Sequence, residues 1–219
     1  MTNSALLFGL HRLLPLAVGL FLVACGSASD KGTSALYDAV EGNDLGRVRR
    51  LLQQGADPND HIRYTLFVLA IHEGSHFWDH DNGKTALMVA SEKGSVPIVT
   101  ALLDAGANPN RGTRIRKTAL MYAAENCQLD VMKLLVSKNA DVTAVATDAA
   151  NKMADWSGSV LRFALECTKR DGGTSDIVRF ILNHLKPGDV SEKELSLCLG
   201  RRYERVPADV KQRISTLRR

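Results

Sequence analysis

Cysteine is scarce in this chain and badly placed for sulfur chemistry. Four cysteines are spread over 219 residues, and no two stand in C-x-x-C spacing. That excludes the usual sequence form of a dithiol or paired-thiolate site. Beyond Cys25 there remain Cys127, Cys167 and Cys198, an odd number, which excludes a complete disulfide framework. One bridge is compatible with an oxidising compartment, and the spacing selects no pair. An uncharged apolar run long enough for a membrane span is also missing. A span would have to run from Ala5 to Ala24 and would set Arg12 near the bilayer centre, at a cost of about 2.5–3.5 kcal/mol. Large net charge is absent too: 28 Lys and Arg face 24 Asp and Glu.

What the N-terminus does hold is "LLPLAVGLFLVA" behind His11 and Arg12. A signal peptide needs only a short apolar core after a positive end, and this fits. The run closes on Leu22-Val23-Ala24-Cys25-Gly26, which resembles the bacterial lipobox. The resemblance implies that residues 1–24 are a lipoprotein signal peptide and that Cys25 is acylated and becomes the mature N-terminus. The plainer alternative is an ordinary signal peptide that carries a cysteine. A single acyl chain anchors only marginally, and the resemblance implies several chains on Cys25, hence stable anchoring. Gly26 and Ser27 follow, with no aspartate after the cysteine. In Gram-negative lipoproteins that pattern implies transfer to the outer membrane. The expected location is therefore the cell envelope, lipid-anchored and facing the periplasm, where nucleic acid is not a partner. Residues 25–33 read as a short tether. Its stretch "GSASDKGT" reaches at most roughly 28 Å, which keeps the folded part near the membrane.

Self-comparison finds an internal repeat. Ser34–Asn59 (SALYDAVEGNDLGRVRRLLQQGADPN), Thr85–Asn110 (TALMVASEKGSVPIVTALLDAGANPN) and Thr118–Thr143 (TALMYAAENCQLDVMKLLVSKNADVT) align without gaps, the last two offset by 33 residues. Leu87 and Ala90, then Ile98, Val99, Leu102 and Leu103, recur at helical spacing on two short helices. Gly94 and Asn43 stand between the helices, where a left-handed backbone is needed, and Gly55 and Gly106 end the second helix the same way. Pro58 and Pro109 stop any continuation. The opening "TALM", the "LL" pairs and the closing "GADPN" and "GANPN" resemble the ankyrin repeat. That resemblance implies an all-α solenoid of helix-turn-helix units with β-hairpin loops, in which stacked units share one core.

The repeats are expected at about 34–60, 83–113 and 116–145. A partial copy is expected at 61–82, because "TLFVLAIHEGS" lines up under "TALMVASEKGS". A degenerate copy is expected at 157–185, with Leu161, Ala164, Ile177, Val178, Ile181 and Leu182 in the core roles and about five extra residues near Gly172 and Gly173. Residues 186–219 read as a C-terminal helical cap, with helices near 192–200 and 208–217. Ser191 with Glu194 forms a capping-box pattern. Residues 201–219 carry seven basic and two acidic residues. Such a basic tail suits an acidic partner or anionic lipid. It also suits nothing more than a helix C-terminus that favours cations.

Residues 71–80, "IHEGSHFWDH", contain a formal H-E-x-x-H at His72, Glu73 and His76, with His80 nearby. A zinc peptidase needs both histidines on one helical face with the glutamate as general base. In the repeat register Gly74 ends the helix, so His72 lies on it and His76 beyond it. No metal, cofactor or catalytic residue is therefore expected. His72, His76 and His80 are kept as weak metal candidates.

In ankyrin proteins the first helices and hairpin tips line a concave face that binds partners; the resemblance implies a binding module, not an enzyme. Carried over from the ankyrin pattern, the variable position five residues after the repeat leucine is Glu41, His72, Glu92, Glu125 and Glu166, and the next is Gly42, Glu73, Lys93, Asn126 and Cys167. The glutamates suggest an acidic stripe, and they also suit an ordinary solvated helix face. Arg111, Arg114, Arg116 and Lys117 answer them on one hairpin. Phe77 and Trp78 are further anchor candidates, since tryptophan is enriched at interface hot spots. The expected partner set is thus Glu41, Glu73, Glu92, Glu125, Phe77, Trp78, Arg111, Arg114 and Arg116. The expected function is a lipid-anchored periplasmic binder of another protein, as an immunity protein against a delivered effector or as an envelope adaptor. The alternatives are a zinc hydrolase on the histidine cluster and a structural envelope spacer.

Overall fold

In the computed structural model, residues 31–32, 34–64, 83–147, 158–170, 176–199 and 207–217 are described. The signal segment, Cys25, most of the tether, and His72, Glu73, His76, Phe77, Trp78 and His80 lie outside them. The described chain is a stack of antiparallel helix pairs. The first pair is α1 (Ala35–Glu41) and α2 (Leu45–Gln53), the second α3 (Ala86–Lys93) and α4 (Val96–Asp104), and the third α5 (Ala119–Glu125) and α6 (Leu129–Ser137). The fourth is α7 (Val160–Arg170) and α8 (Asp176–His184). The cap helices are α9 (Glu192–Leu199) and α10 (Ala208–Thr216).

Local chemistry sets these helix ends. The Ser34 hydroxyl accepts from the Tyr37 N–H at 3.2 Å, Asp44 accepts from the Arg47 N–H at 2.9 Å, and the Thr85 hydroxyl accepts from the Met88 N–H at 3.3 Å. Each satisfies one of the donors orphaned at a helix start. The turns inside the pairs need positive φ, found at Asn43 (54°), Gly94 (73°) and Cys127 (63°). Gly55, Gly106 and Asn139 end the second helices at φ 88°, 92° and 64°. The expected turn positions are thus confirmed, and a cysteine occupies one of them.

The two helices of a pair are buried differently. In α3 every residue from Ala86 to Ser91 is buried, because α1 packs on one side and α5 on the other. The small residues Ala86 and Ala90 permit that approach. Ser91 satisfies its buried hydroxyl by donating to the Leu87 carbonyl at 2.7 Å. The outer helix α4 buries only the stripe Ile98, Val99 and Leu102. A side chain such as Leu102, fully removed from water, contributes about 2 kcal/mol. Beyond the fourth pair, α10 packs on α8 and α9. Val190, Leu195, Val210, Ile214 and Leu217 are buried there and close the stack. The capping box expected at Ser191 forms by half. The Ser191 hydroxyl accepts from the Glu194 N–H at 3.3 Å, but the Glu194 carboxylate accepts from the Ser159 N–H at 2.6 Å.

Consecutive pairs are joined by hairpins at equivalent places. The bridges are His61 with Thr85, Gly112 with Thr118, and Val145 with Ser159. The last belongs to a two-stranded antiparallel ribbon of β3 (Val145–Ala146) and β4 (Gly158–Ser159). A second ribbon pairs β1 (Lys31–Gly32) with β2 (Arg63–Tyr64).

The first hairpin bears on the partial repeat expected at 61–82. Helix α1 packs directly on α3, and α2 on α4. The Asn59 side chain accepts from the Asn108 N–H at 2.8 Å and donates to the Gly106 carbonyl at 3.3 Å. Asn110 repeats this one unit on, accepting from the Asp141 N–H at 2.7 Å and donating to the Asn139 carbonyl at 3.0 Å. The 34–60 repeat therefore stacks directly on the 83–113 repeat, and residues 65–82 of the expected partial copy lie outside the described residues. The offset from Ser34 to Thr85 is 51 residues, so 18 extra residues are carried within one hairpin connection.

Candidate functional site

The three hairpins define one edge of the stack, continuous with the first helices α1, α3, α5 and α7. Their connections differ in length. Between the bridged residues stand 23 residues in the first (His61 to Thr85), 5 in the second (Gly112 to Thr118) and 13 in the third (Val145 to Ser159). The short middle hairpin carries the three arginines. Its tip is closed by the Lys117 carbonyl accepting from the Thr113 N–H at 3.0 Å and the Thr113 carbonyl accepting from the Arg116 N–H at 2.7 Å. Arg114 and Arg116 are exposed, and Arg116 holds φ 63°. Arg111 is half-buried, with its guanidinium 3.1 Å from His61 Nδ1 across the junction between the first two repeats.

The glutamates of the expected stripe do not form one uniform surface. Glu41 is exposed at the end of α1. Glu92 pairs with Lys84 at 2.7 Å, and Glu125 pairs with Lys117. The two lysines are buried, at 8% and 6% exposure, and both ammonium groups lie over the Tyr122 ring, 4.6 and 4.2 Å from its centroid. Lys117 also lies 4.9 Å from the Phe163 ring centroid. Each lysine thus exchanges water for a carboxylate and an aromatic face. The motif is K-T-A-L-M with a glutamate eight residues after the lysine, and it is visible in both copies of the sequence. Lys84 and Tyr122 were not singled out by sequence reasoning, and this recurrence is the signal for them. Glu166 is half-buried on α7.

Cys127 and Cys167 form a disulfide with Cα atoms 5.3 Å apart, within the range such a bridge requires. It joins the turn between α5 and α6 to α7. Sequence spacing had left this pair open. Elsewhere, a groove of about 540 Å³ lies between the outer helices α2 and α4, lined by Arg49, Leu52, Pro97, Thr100, Ala101 and Asp104. Among the described residues, no group of three or more His, Cys, Asp or Glu side chains is arranged to hold a metal ion, and no helix is long and apolar enough to cross a membrane.

Comparison with known sequences agrees with the geometry. The family model for three copies of the ankyrin repeat matches residues 61–146, and the model for a single ankyrin repeat matches residues 31–62. Together they cover just over half of the chain. The chain belongs to the ankyrin-repeat family. This ankyrin stack is also similar to a mitochondrial disaggregase from Bos taurus, at 27% identity over 177 residues covering 77% of the chain. The chain spans 23% of that relative's length. Ankyrin repeats are protein-interaction modules, so a protein partner is the coarse functional conclusion.

Proposed function

We propose that this protein is held at the cell envelope by lipid on Cys25, faces the periplasm from the outer membrane, and binds one protein partner without catalysis. The single observation that carries the binding surface is the uneven hairpin edge. Insertions of 18 and 8 residues flank the short hairpin that bears Arg111, Arg114 and Arg116. Lengthened loops on either side of one short hairpin are where partner contacts concentrate on a repeat stack. The disulfide between Cys127 and Cys167 supports an oxidising compartment, which suits the leader and the lipobox-like Cys25. The partner in this reading is a delivered effector neutralised by the protein, or an envelope enzyme held in place by it. The disaggregase activity in the relative's name is not carried over, because the chain spans less than a quarter of that protein.

The test uses the full chain in a Gram-negative host. Palmitate labelling and membrane fractionation should both be lost on Cys25→Ala. Photo-crosslinking from a residue analogue at Arg114 should trap one protein, and crosslinking from the outer helix α4 should not. A label-free, soluble wild-type chain would sink the anchoring. Equal crosslinking from both faces, or from neither, would favour an envelope spacer. A zinc content near one per chain, with hydrolysis lost on Glu73→Ala, would overturn the non-catalytic reading.

A further inference from the structure

We propose that oxidation of Cys127 and Cys167 completes this stack: the bridge holds the fourth helix pair and the cap on the regular repeats, and its reduction releases them as one unit. Three observations set this junction apart from the two before it. First, the asparagine link is missing. The residue equivalent to Asn59 and Asn110 is Thr143, whose N–H and hydroxyl both donate to Asp141 of its own turn, at 2.8 and 2.7 Å. The two backbone bonds that cross the earlier junctions have no counterpart there from this side chain. Second, the outer helices pack less closely here. Helix α2 packs on α4 and α4 on α6, but α6 and α8 do not pack closely. Third, both connections of the fourth pair are lengthened, in the hairpin between Val145 and Ser159 and between α7 and α8.

Helix α7 still packs on α5, so the fourth pair is held by that helix face, the β3–β4 ribbon, the Lys117 contact with Phe163 and the disulfide. The cap is fastened to the fourth pair, by Arg179 of α8 with Asp209 of α10 at 3.0 Å and by Ser159 with Glu194. Release at the junction therefore takes the cap along. Local unfolding in contiguous units of this kind is the usual behaviour of repeat stacks. Cys127 stands where the preceding repeat has Gly94, and Cys167 stands at the position of Lys93 and Asn126 in the other first helices. The pair therefore meets across neighbouring repeats at one level of the stack.

The chemistry balances as thiol–disulfide exchange. Cys127, the half-buried member, attacks the disulfide of a thiol oxidase as a thiolate, and Cys167 resolves the mixed disulfide. Two protons and two electrons leave the chain, the Sγ–Sγ bond forms, and the oxidase becomes a dithiol. The chain thus finishes folding only where such an oxidase works, and a reducing compartment leaves its C-terminal quarter open. This holds whatever the stack binds.

Hydrogen exchange on the purified full chain, with and without a phosphine reductant, tests it. Exchange in α7, α8, α9 and α10 should rise by roughly several hundredfold to a thousandfold on reduction, the factor that closing the loop of 40 residues between Cys127 and Cys167 is worth. Exchange in α1–α4 should not change. Cys127→Ala with Cys167→Ala should show the open pattern without reductant and no response to it. If that variant fails to fold, the wild-type pair of measurements still decides. Unchanged exchange in α7–α10, or an equal rise from α1 to α10, overturns the proposal.

Discussion

Lys117, in the hairpin that opens the third repeat, is paired with Glu125 at the end of that repeat's first helix, with side chains only 7% and 18% exposed. The pair one repeat earlier, Lys84 with Glu92, has the same spacing, but its carboxylate is 40% exposed. Removing one member of a buried pair strands the other charge, at about 3 kcal/mol, whereas exposed pairs are worth under about 1 kcal/mol. Both lysines are buried, so either loss strands an ammonium group, but the more exposed Glu92 is the more screened partner; Glu125→Ala should therefore lower the urea midpoint by more than Glu92→Ala. Equal shifts would mean that Tyr122 and Phe163 alone hold Lys117.

The direct stacking of the first repeat on the 83–113 repeat makes the 63–83 segment removable. Replacing it by the Arg-Ile-Arg tip of residues 114–116 should leave helix content and cooperativity intact. Shortening a connection from about 21 residues to three removes a loop-closure cost of roughly 1.5 kcal/mol, which offsets the loss of the short β1–β2 ribbon, so the variant should be about as stable as the parent. A fall of several kcal/mol in a urea melt, or loss of cooperativity, would return the segment to the stack as a structural unit.

That segment also marks where reading the sequence stops. The 33-residue period, the αL positions at Asn43, Gly94 and Gly106, and both cap helices are legible, because each rests on local backbone chemistry or on a helical stripe. "TLFVLAIHEGS" carries the same stripe as the first helices and lies outside the described residues. Only Asn59 reaching Asn108 reveals what lies next to what. The lysines were legible in principle, since each stands eight residues before a repeat glutamate. An acidic stripe and a row of internal ion pairs, however, leave the same glutamates in the sequence. The disulfide was not legible, because a pairing among three cysteines depends on the distance between two repeats.

Asn59 and Asn110 each satisfy one backbone N–H and one carbonyl of the next repeat. Both sites are exposed, so water takes over part of what is lost, and a net hydrogen bond is worth about 1 kcal/mol. Asn110→Ala should cost about 1–2 kcal/mol in chemical denaturation, and Thr143→Ala clearly less, since Thr143 bridges nothing across its junction. A Thr143→Ala cost as large as that of Asn110→Ala would show that the third junction is fastened by this residue after all.

Cys127 keeps φ at 63°, a conformation that glycine adopts freely and other L-residues at a cost of about 1–2 kcal/mol. Without the bridge, nothing compensates that cost. Two backgrounds, Cys127→Gly with Cys167→Ala and Cys127→Ala with Cys167→Ala, isolate it. Glycine relieves the left-handed turn but loses roughly 0.5–1 kcal/mol more chain entropy on folding. The net expectation is a glycine variant more stable by about 0.5–1 kcal/mol, read as a higher urea midpoint at unchanged slope. Equal midpoints would mean that the turn relaxes out of the left-handed region once the sulfurs part, and the cysteine would then be what holds the turn.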